Sequence, residues 1–323
     1  MPTVSPAKEE LQSSAQKSIK DEAIVFLTQL SSICSAPLEE ISDEEELSTK
    51  NYRVLKDVIG RGEFSVIYKA EALNGKEEKT LAAKVLNLKN NEKHFQSKYP
   101  KRYASIVRLL NKKHPNVLVA YDVFKIKDNL YVFTDYCENG SLQEYLKFYD
   151  DAPVGPKMLK RWTRNLASAI EYLHNVGIAH RNIKPQNILL TSNWRVKLTG
   201  FFFARPFVNL ENGKRKVSRS KRGQSAFIPP EVHRGSFYNP KKVDIFSFGS
   251  VVYLMITGNK FVYDPDNIDE THLGVDIEII AKATNDEFAN LIKQCTAHYP
   301  DIRPNIKKVK KCSWLEEHYI QAA

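Results

Sequence analysis

A chain of 323 residues with 42% hydrophobic side chains can bury a substantial core in one or two domains. The longest apolar stretch, Ile245 to Ile256, is too short and too interrupted by Ser247, Gly249 and Ser250 to cross a bilayer, which excludes a membrane span there. The formal net charge of +10 is unevenly placed: residues 1–50 carry four Lys against ten Asp and Glu, a net of −6, leaving +16 on residues 51–323.

An acidic tail on a basic body suits a protein partner, nucleic acid or an anionic membrane, and equally a tail that folds back on its own domain. No nucleic-acid reader motif or aromatic stacking array accompanies the charge, so a specific nucleic-acid role is not expected. Cys34, Cys137, Cys295 and Cys312 are too scattered to form a zinc site or disulfide framework. The N-terminus shows no basic-then-apolar signal pattern. The expectation is a soluble, cytoplasmic protein.

Residues 1–50 are rich in Ser, Glu, Lys and Gln and close on the acidic run Glu39 to Glu46, which predicts a mostly disordered extension. Within it, Phe26, Leu27, Leu30 and Ile33 fall on one helical face. A short transient helix is expected there, with docking as the alternative. From Tyr52 the texture changes to β-rich runs: Tyr52 to Ile59, Ser65 to Ala72, Thr80 to Leu86, Val117 to Phe124 and Leu130 to Asp135. Turn signals at Gly60-Arg61-Gly62 and Asn74-Gly75 break them, predicting an antiparallel sheet. A basic helical segment runs from about Lys93 to Lys113, and helices dominate after Gly140. Strands first and helices later predict an α+β fold.

Several motifs stand in order along this frame. Ile59-Gly60-Arg61-Gly62-Glu63-Phe64-Ser65-Val66 is glycine-rich, Leu81-Ala82-Ala83-Lys84 follows on a strand, and His180-Arg181-Asn182-Ile183-Lys184-Pro185-Gln186-Asn187 precedes Thr199-Gly200-Phe201-Phe202. Pro229-Pro230-Glu231, Asp244-Ile245-Phe246-Ser247-Phe248-Gly249 and Asp301-Ile302-Arg303-Pro304 complete the set. Together they resemble the protein kinase family of serine/threonine type over residues 52–318. Asn239 to Asp244 and Cys312 to Leu315 look most like the calmodulin-dependent-kinase group and its testis-specific serine kinases. The resemblance implies a bilobal kinase fold, with a small antiparallel N-lobe over residues 51–136 and a mainly helical C-lobe over 137–323.

It also implies roles. Ile59, Gly60 and Gly62 would belong to the loop over the ATP phosphates, with Ser65 at its third glycine, and Lys84 would contact those phosphates. Ile67, Ala82 and Leu189 would sandwich adenine, Thr134 would be the gatekeeper, and Asp135 to Cys137 would form the hinge. Apolar positions suit an adenine slot and a plain core alike, so ATP binding stays open. The helix glutamate that normally holds the lysine should fall near Ser105, yet no Asp or Glu occurs from Lys93 to Lys113.

The departures lie in the chemistry. Asn182 stands where the family has its catalytic Asp, and an amide lacks the basicity of a general base. Lys184 and Asn187 are kept. Gly200 replaces the magnesium-binding Asp, leaving Asn187 as a weak neutral ligand, so magnesium is doubtful. Phe202 replaces a glycine and reads as part of a wedge gluing Phe201-Phe202-Phe203 into the core. Gln224 stands where Thr or Ser is usual.

Residues 205–222 hold seven Lys and Arg against one Glu. That predicts a solvated loop, or one phosphorylated at Ser218 or Ser225, with Arg181 pairing the added phosphate. The expected function is a catalytically impaired pseudokinase acting as scaffold or allosteric partner, the expected protein partner being an active kinase or its substrate. The alternatives are a weakly active serine/threonine kinase, with Glu63 or Asp135 supplying missing charge, and a binding module with a collapsed cleft.

Overall fold

The computed structural model describes residues 22–42, 45–62, 65–73, 79–89, 98–110, 114–208, 218, 226–235, 237–258 and 274–316. The first element, helix α1 at residues 22–35, leads to the two-residue strand β1, Glu40–Ile41. Next come β2 (Tyr52–Gly62), β3 (Ser65–Ala72), β4 (Lys79–Asn87), helix α2 (Lys98–Leu110), β5 (Ala120–Ile126) and β6 (Asn129–Asp135). These strands form one six-stranded sheet in the order β1-β5-β6-β4-β3-β2. The sheet is mixed rather than purely antiparallel, because β1 pairs parallel with β5 while the other pairings are antiparallel. A chain segment arriving from outside the meander can run in either direction, and the local turn signals that specify hairpins do not constrain it.

The second layer is helical. It contains α3 (Leu142–Phe148), α4 (Pro156–Asn175), α5 (Pro230–His233), α6 (Pro240–Thr257), α7 (Ile277–Ala283), α8 (Asp286–Cys295) and α9 (Ile306–Lys310). The strand pairs β7 (Ile178–Ala179) with β10 (Arg205–Pro206) and β8 (Ile188–Leu190) with β9 (Val196–Leu198) carry the loops at the cleft. Sequence sets the helix starts: Ser141 and Glu144 form a reciprocal capping box on α3, and Asn239, Asn285 and Asn305 accept backbone N–H bonds at the starts of α6, α8 and α9. Helix α6 is buried on nearly every side, and the hydroxyls of Ser247 and Ser250 that interrupt its apolar run donate to the backbone carbonyls of Phe227, Val243 and Phe246.

Two cores result. The larger runs from α2 and the inner face of the sheet through α4, α6 and α8, and the smaller lies on the other face of the sheet around Tyr52, Phe124 and Phe133. Leu118 N–H donates to Leu198 O across the two layers at 3.0 Å.

Part of the extension, the described residues 22–42 and 45–50, packs on the body, which is the docking alternative for the helical face at Phe26, Leu27 and Leu30. In α1, Phe26, Leu27 and Leu30 are buried in the large core, and Leu27 Cδ1 lies 3.0 Å from the place a Cβ on Gly177 would take, in the turn between α4 and β7. Ile41 and Leu47 are buried in the small core. Glu40 and Glu39 pair with Lys125 and Lys50 at 2.5 and 2.8 Å, so part of the acidic run meets basic groups of its own domain. Burial of these five apolar side chains, each favourable by about 1.5–3 kcal/mol, outweighs the polar composition on which the expectation rested. Among the described residues, no helix is long and apolar enough to cross a membrane.

Candidate functional site

The sheet and the helical layer meet at β9, where Leu198 pairs with Val117 and accepts from Leu118 N–H. Lys84 sits in the middle of β4, opposite Ile67 of β3 and Val132 of β6, so hydrogen bonding on both sides fixes its backbone. Its side chain makes no ion pair among the described residues. Instead its Nζ faces the ring of Tyr103 on α2, 5.9 Å from the centroid. Tyr103 is itself buried and packs on Phe202, with ring centroids 5.8 Å apart. Burial, reinforced by the charge on Lys184, pushes the Lys84 ammonium down to about 8. Burial likewise pushes the Tyr103 hydroxyl up.

Tyr103 was not legible as a site residue. The only signal was negative, the lack of any acid in that helix, and an aromatic two positions before Ser105 then faces the lysine. The carboxylate of Asp135 accepts from Tyr121 Oη at 2.5 Å and lies 3.3 Å from Lys79 Nζ and 3.8 Å from Lys197 Nζ. Of the other residues singled out in the sequence, Glu63, Gln224 and Ser225 lie outside the described residues.

The glycine-rich stretch forms the end of the β2–β3 pair, where Gly60 opposes Ile67 and Gly62 opposes Ser65. Ile59 and Gly60 are half-buried, whereas Gly62 is exposed. Ala82 is buried and pairs with Thr134, also buried, while Leu189 is half-buried in β8. Cys137 is buried at the crossing between layers, and its carbonyl accepts from Gly140 N–H at 3.1 Å. All four cysteines are free thiols.

The loop below the cleft is held from behind. Asp244, fully buried in α6, accepts from the backbone N–H of His180 at 2.9 Å and of Arg181 at 2.6 Å, and bonds His174 Nε2 at 2.9 Å. His180 Nε2 bonds Thr199 O at 2.8 Å and its ring meets Phe201 edge-on. Arg181 has a positive φ of 65° and reaches Tyr238 Oη at 2.6 Å and Ser218 Oγ at 3.1 Å. These contacts present Asn182, Lys184 and Asn187 to the cleft, all half-buried.

Asn187 donates its side-chain N–H to Asn182 O at 2.7 Å. That orientation fills the space beside Gly200: with φ of +84°, a Cβ on Gly200 would run into the Asn187 amide, 2.5 Å from its Oδ1. Phe201 and Phe202, in the 3-10 turn after it, are buried as the wedge reading expects. No cluster of three or more His, Cys, Asp or Glu able to hold a metal occurs among the described residues.

Away from the cleft, Arg303 is buried and makes a bidentate pair with Glu231, Nη1 to Oε1 at 2.6 Å and Nη2 to Oε2 at 2.9 Å. That brings together two residues 72 positions apart in the chain.

Comparison with known proteins agrees with this architecture. The sequence profile described as Protein kinase domain matches residues 53–315. Testis-specific serine/threonine-protein kinase 3 of Mus musculus is 28% identical over 285 residues, covering 84% of this chain and 98% of that protein. Serine/threonine-protein kinase kin-29 of Caenorhabditis elegans is 27% identical over 259 residues, 80% of this chain and 30% of that protein. CBL-interacting protein kinase 11 of Oryza sativa subsp. japonica is 27% identical over 278 residues, 85% of this chain and 53% of that protein. The chain thus spans about a third to a half of the latter two. A two-layer fold of sheet and helices, the Glu231–Arg303 pair and a profile match over most of the length lead to one conclusion: the chain belongs to the protein kinase family, with serine/threonine kinases among its homologues.

Proposed function

We propose that the protein is a catalytically impaired kinase, a pseudokinase that uses the kinase fold as a scaffold or allosteric surface for a protein partner, an active kinase or its substrate. The observation that carries this reading is the amide at Asn187 lying where a side chain on residue 200 would begin. Phosphoryl transfer is mostly electrostatic positioning by metal-held phosphates and a carboxylate that orients the nucleophile. Neither carboxylate is present at Asn182 or Gly200, and Lys84 faces an aromatic ring rather than an acid. Meanwhile the supports behind the loop, Asp244 and Arg303 with Glu231, are kept. Fold maintained with chemistry removed fits a binding role.

One observation favours a second reading, a weakly active serine/threonine kinase. His180, Arg181 and Asn187 are each held by side-chain hydrogen bonds, and loss of one general base costs about 10²–10⁴-fold rather than all activity. Transfer of labelled phosphate from ATP with magnesium to a generic basic protein decides between them. Incorporation indistinguishable from a Lys84→Met control supports the pseudokinase; incorporation that Lys84→Met abolishes overturns it.

A further inference from the structure

Helix α3 ends in a segment that breaks two habits of a soluble surface. Phe148 is 80% exposed, and Tyr149 beside it is 47% exposed. The next two residues, Asp150 and Asp151, both take left-handed backbone, with φ of 51° and 55°. Side chains disfavour that region, and residues held there cluster at functional sites. The surroundings fix the conformation. Asp150 N–H donates to Lys147 O at 3.2 Å and Asp151 N–H to Leu146 O at 2.8 Å, which closes the helix end. Val154 N–H then donates to Met255 O of α6 at 2.8 Å, and Asp151 O lies so close to Gly258 that a Cβ there would collide with it.

The exposed rings stand on packed ones. Phe148 meets Tyr149 edge-on with centroids 5.0 Å apart, Tyr149 meets Tyr145 at 4.6 Å, and Tyr145 meets the buried Trp162 edge-on at 4.9 Å. The surface pair is thus pre-organised, and a partner seated on it orders little. Charge decides what that partner is. Residues 142–155 hold Glu144, Asp150 and Asp151 against Lys147, a net of −2 within a body of +16. Glu144 is committed to the N–H and hydroxyl of Ser141, whereas no ion pair among the described residues engages Asp150 or Asp151. Carboxylates beside exposed aromatic rings attract a guanidinium or ammonium, by ion pairing and by cation–π contact. They repel an acidic segment or an anionic membrane.

We infer that the end of α3 is a docking site for a basic linear segment of a partner protein, which sets an arginine or lysine against Asp150 and Asp151 and an apolar side chain on Phe148 and Tyr149. This rests on reading the chain as a kinase fold that works by binding a protein, and it gives that partner a chemistry. Phe148→Ser and Asp150→Asn fall on exposed side chains, so neither disturbs the core. Asp150→Gly suits the left-handed backbone better than the parent residue does. That variant is at least as stable as the parent, so weaker docking by it does not come from misfolding.

The test is selection of a phage-displayed library of random peptides on the immobilised full chain, with Phe148→Ser for counter-selection, followed by fluorescence anisotropy titration of the enriched peptides. Peptides that carry Arg or Lys next to apolar residues are enriched. Phe148→Ser lowers their affinity about tenfold, the size of one lost anchor, and Asp150→Asn and Asp150→Gly lower it several-fold. Added salt weakens binding to the parent more than to Asp150→Asn. Melting curves report whether each variant folds. Enriched peptides that are acidic or uncharged, or that bind the variants as well as the parent, overturn the inference, and so does a selection without enrichment. Two further outcomes overturn it as well: a dimer of the parent in sedimentation that Phe148→Ser dissociates makes the face a contact between copies, and cosedimentation with phosphatidylserine vesicles that Phe148→Ser abolishes makes it a membrane contact. Phosphate transfer measured on the same samples separates the two proposals. Absent peptide binding with absent transfer refutes only this one, whereas peptide binding with transfer refutes only the pseudokinase reading.

Discussion

Asn187 Oδ1 lies 2.5 Å from the position a Cβ on Gly200 would occupy, so these two residues cannot both carry side chains in their present arrangement. The relationship predicts how the site responds to repair. Asn182→Asp with Gly200→Asp restores the two carboxylates by identity, but the aspartate introduced by Gly200→Asp must hold a left-handed backbone and displace Asn187 from its bond to Asn182 O. A non-glycine residue in that region costs about 1–2 kcal/mol, an aspartate less than most. The expected outcome is a variant with a lower unfolding midpoint and no phosphate transfer above the Lys84→Met background. Transfer recovered to the level of an active kinase would show that the two substitutions alone, and not Tyr103, had silenced the cleft.

Lys84 makes stability depend on pH. Its folded value, about 8, lies below the ordinary 10.5, so the native state releases the proton before the unfolded chain does. Below about pH 8 both states hold the proton and the full cost of burying the charge is felt. Between about 8 and 10.5 the unfolded state holds more protons, and stability rises with pH. Lys84→Met removes the cost, so the variant should be more stable than the parent by about 1–3 kcal/mol at pH 7. The advantage should shrink toward pH 10. Urea unfolding of both proteins at several pH values measures it, and a difference constant with pH would contradict the assignment.

The Glu231–Arg303 pair should behave as a buried ion pair whose partners depend on each other. Arg303 also donates from Nε to Ala297 O at 2.8 Å, from Nη2 to His298 O at 3.0 Å and from Nη1 to Lys242 O at 3.2 Å, so removing it takes a donor from three carbonyls as well as from one carboxylate. Arg303→Leu is expected to cost about 3–5 kcal/mol. Glu231→Gln, which keeps the shape but loses the charge, should cost less. Denaturant midpoints for the two variants check the order, and equal losses would mean that packing rather than charge dominates.

Much of this was readable beforehand where the causes are local. Strand β3 was located to the residue, from Ser65 to Ala72, because apolar and β-branched residues run between glycine-rich turns. Strand β5 was expected from Val117 but begins at Ala120, since Val117 and Leu118 pair instead with Leu198 in the other layer. The Asn182 and Gly200 departures were visible as letters. Their steric consequence was not, because it depends on the side-chain direction of Asn187. Tyr103 opposite Lys84 and the parallel β1–β5 pair are contacts between segments far apart in the chain, and no local pattern encodes them.

The extension provides the strongest test of such a long-range contact. Helix α1 seats Leu27 against the Gly177 turn of the helical layer, while Ile41, a few residues on, lies in the strand added to β5, so one segment ties both layers. Leu27 is 2% exposed and Ile24, on the same helix, is 52% exposed. Leu27→Asp buries a charge with no partner and should destabilise α1 by several kcal/mol, releasing it from the body rather than unfolding the whole chain. Ile24→Asp should have no measurable effect. Hydrogen exchange then gives a distinctive readout: in Leu27→Asp, amides of α1 lose protection, and Lys125 loses it too, because its N–H donates to Glu39 O at 2.8 Å and that bond depends on the segment staying in place. Protection in α6, whose side chains are buried within the helical layer, should be unchanged. If α1 exchanges as fast in the parent as in Leu27→Asp, the extension does not hold the layers together and its burial contributes nothing to stability.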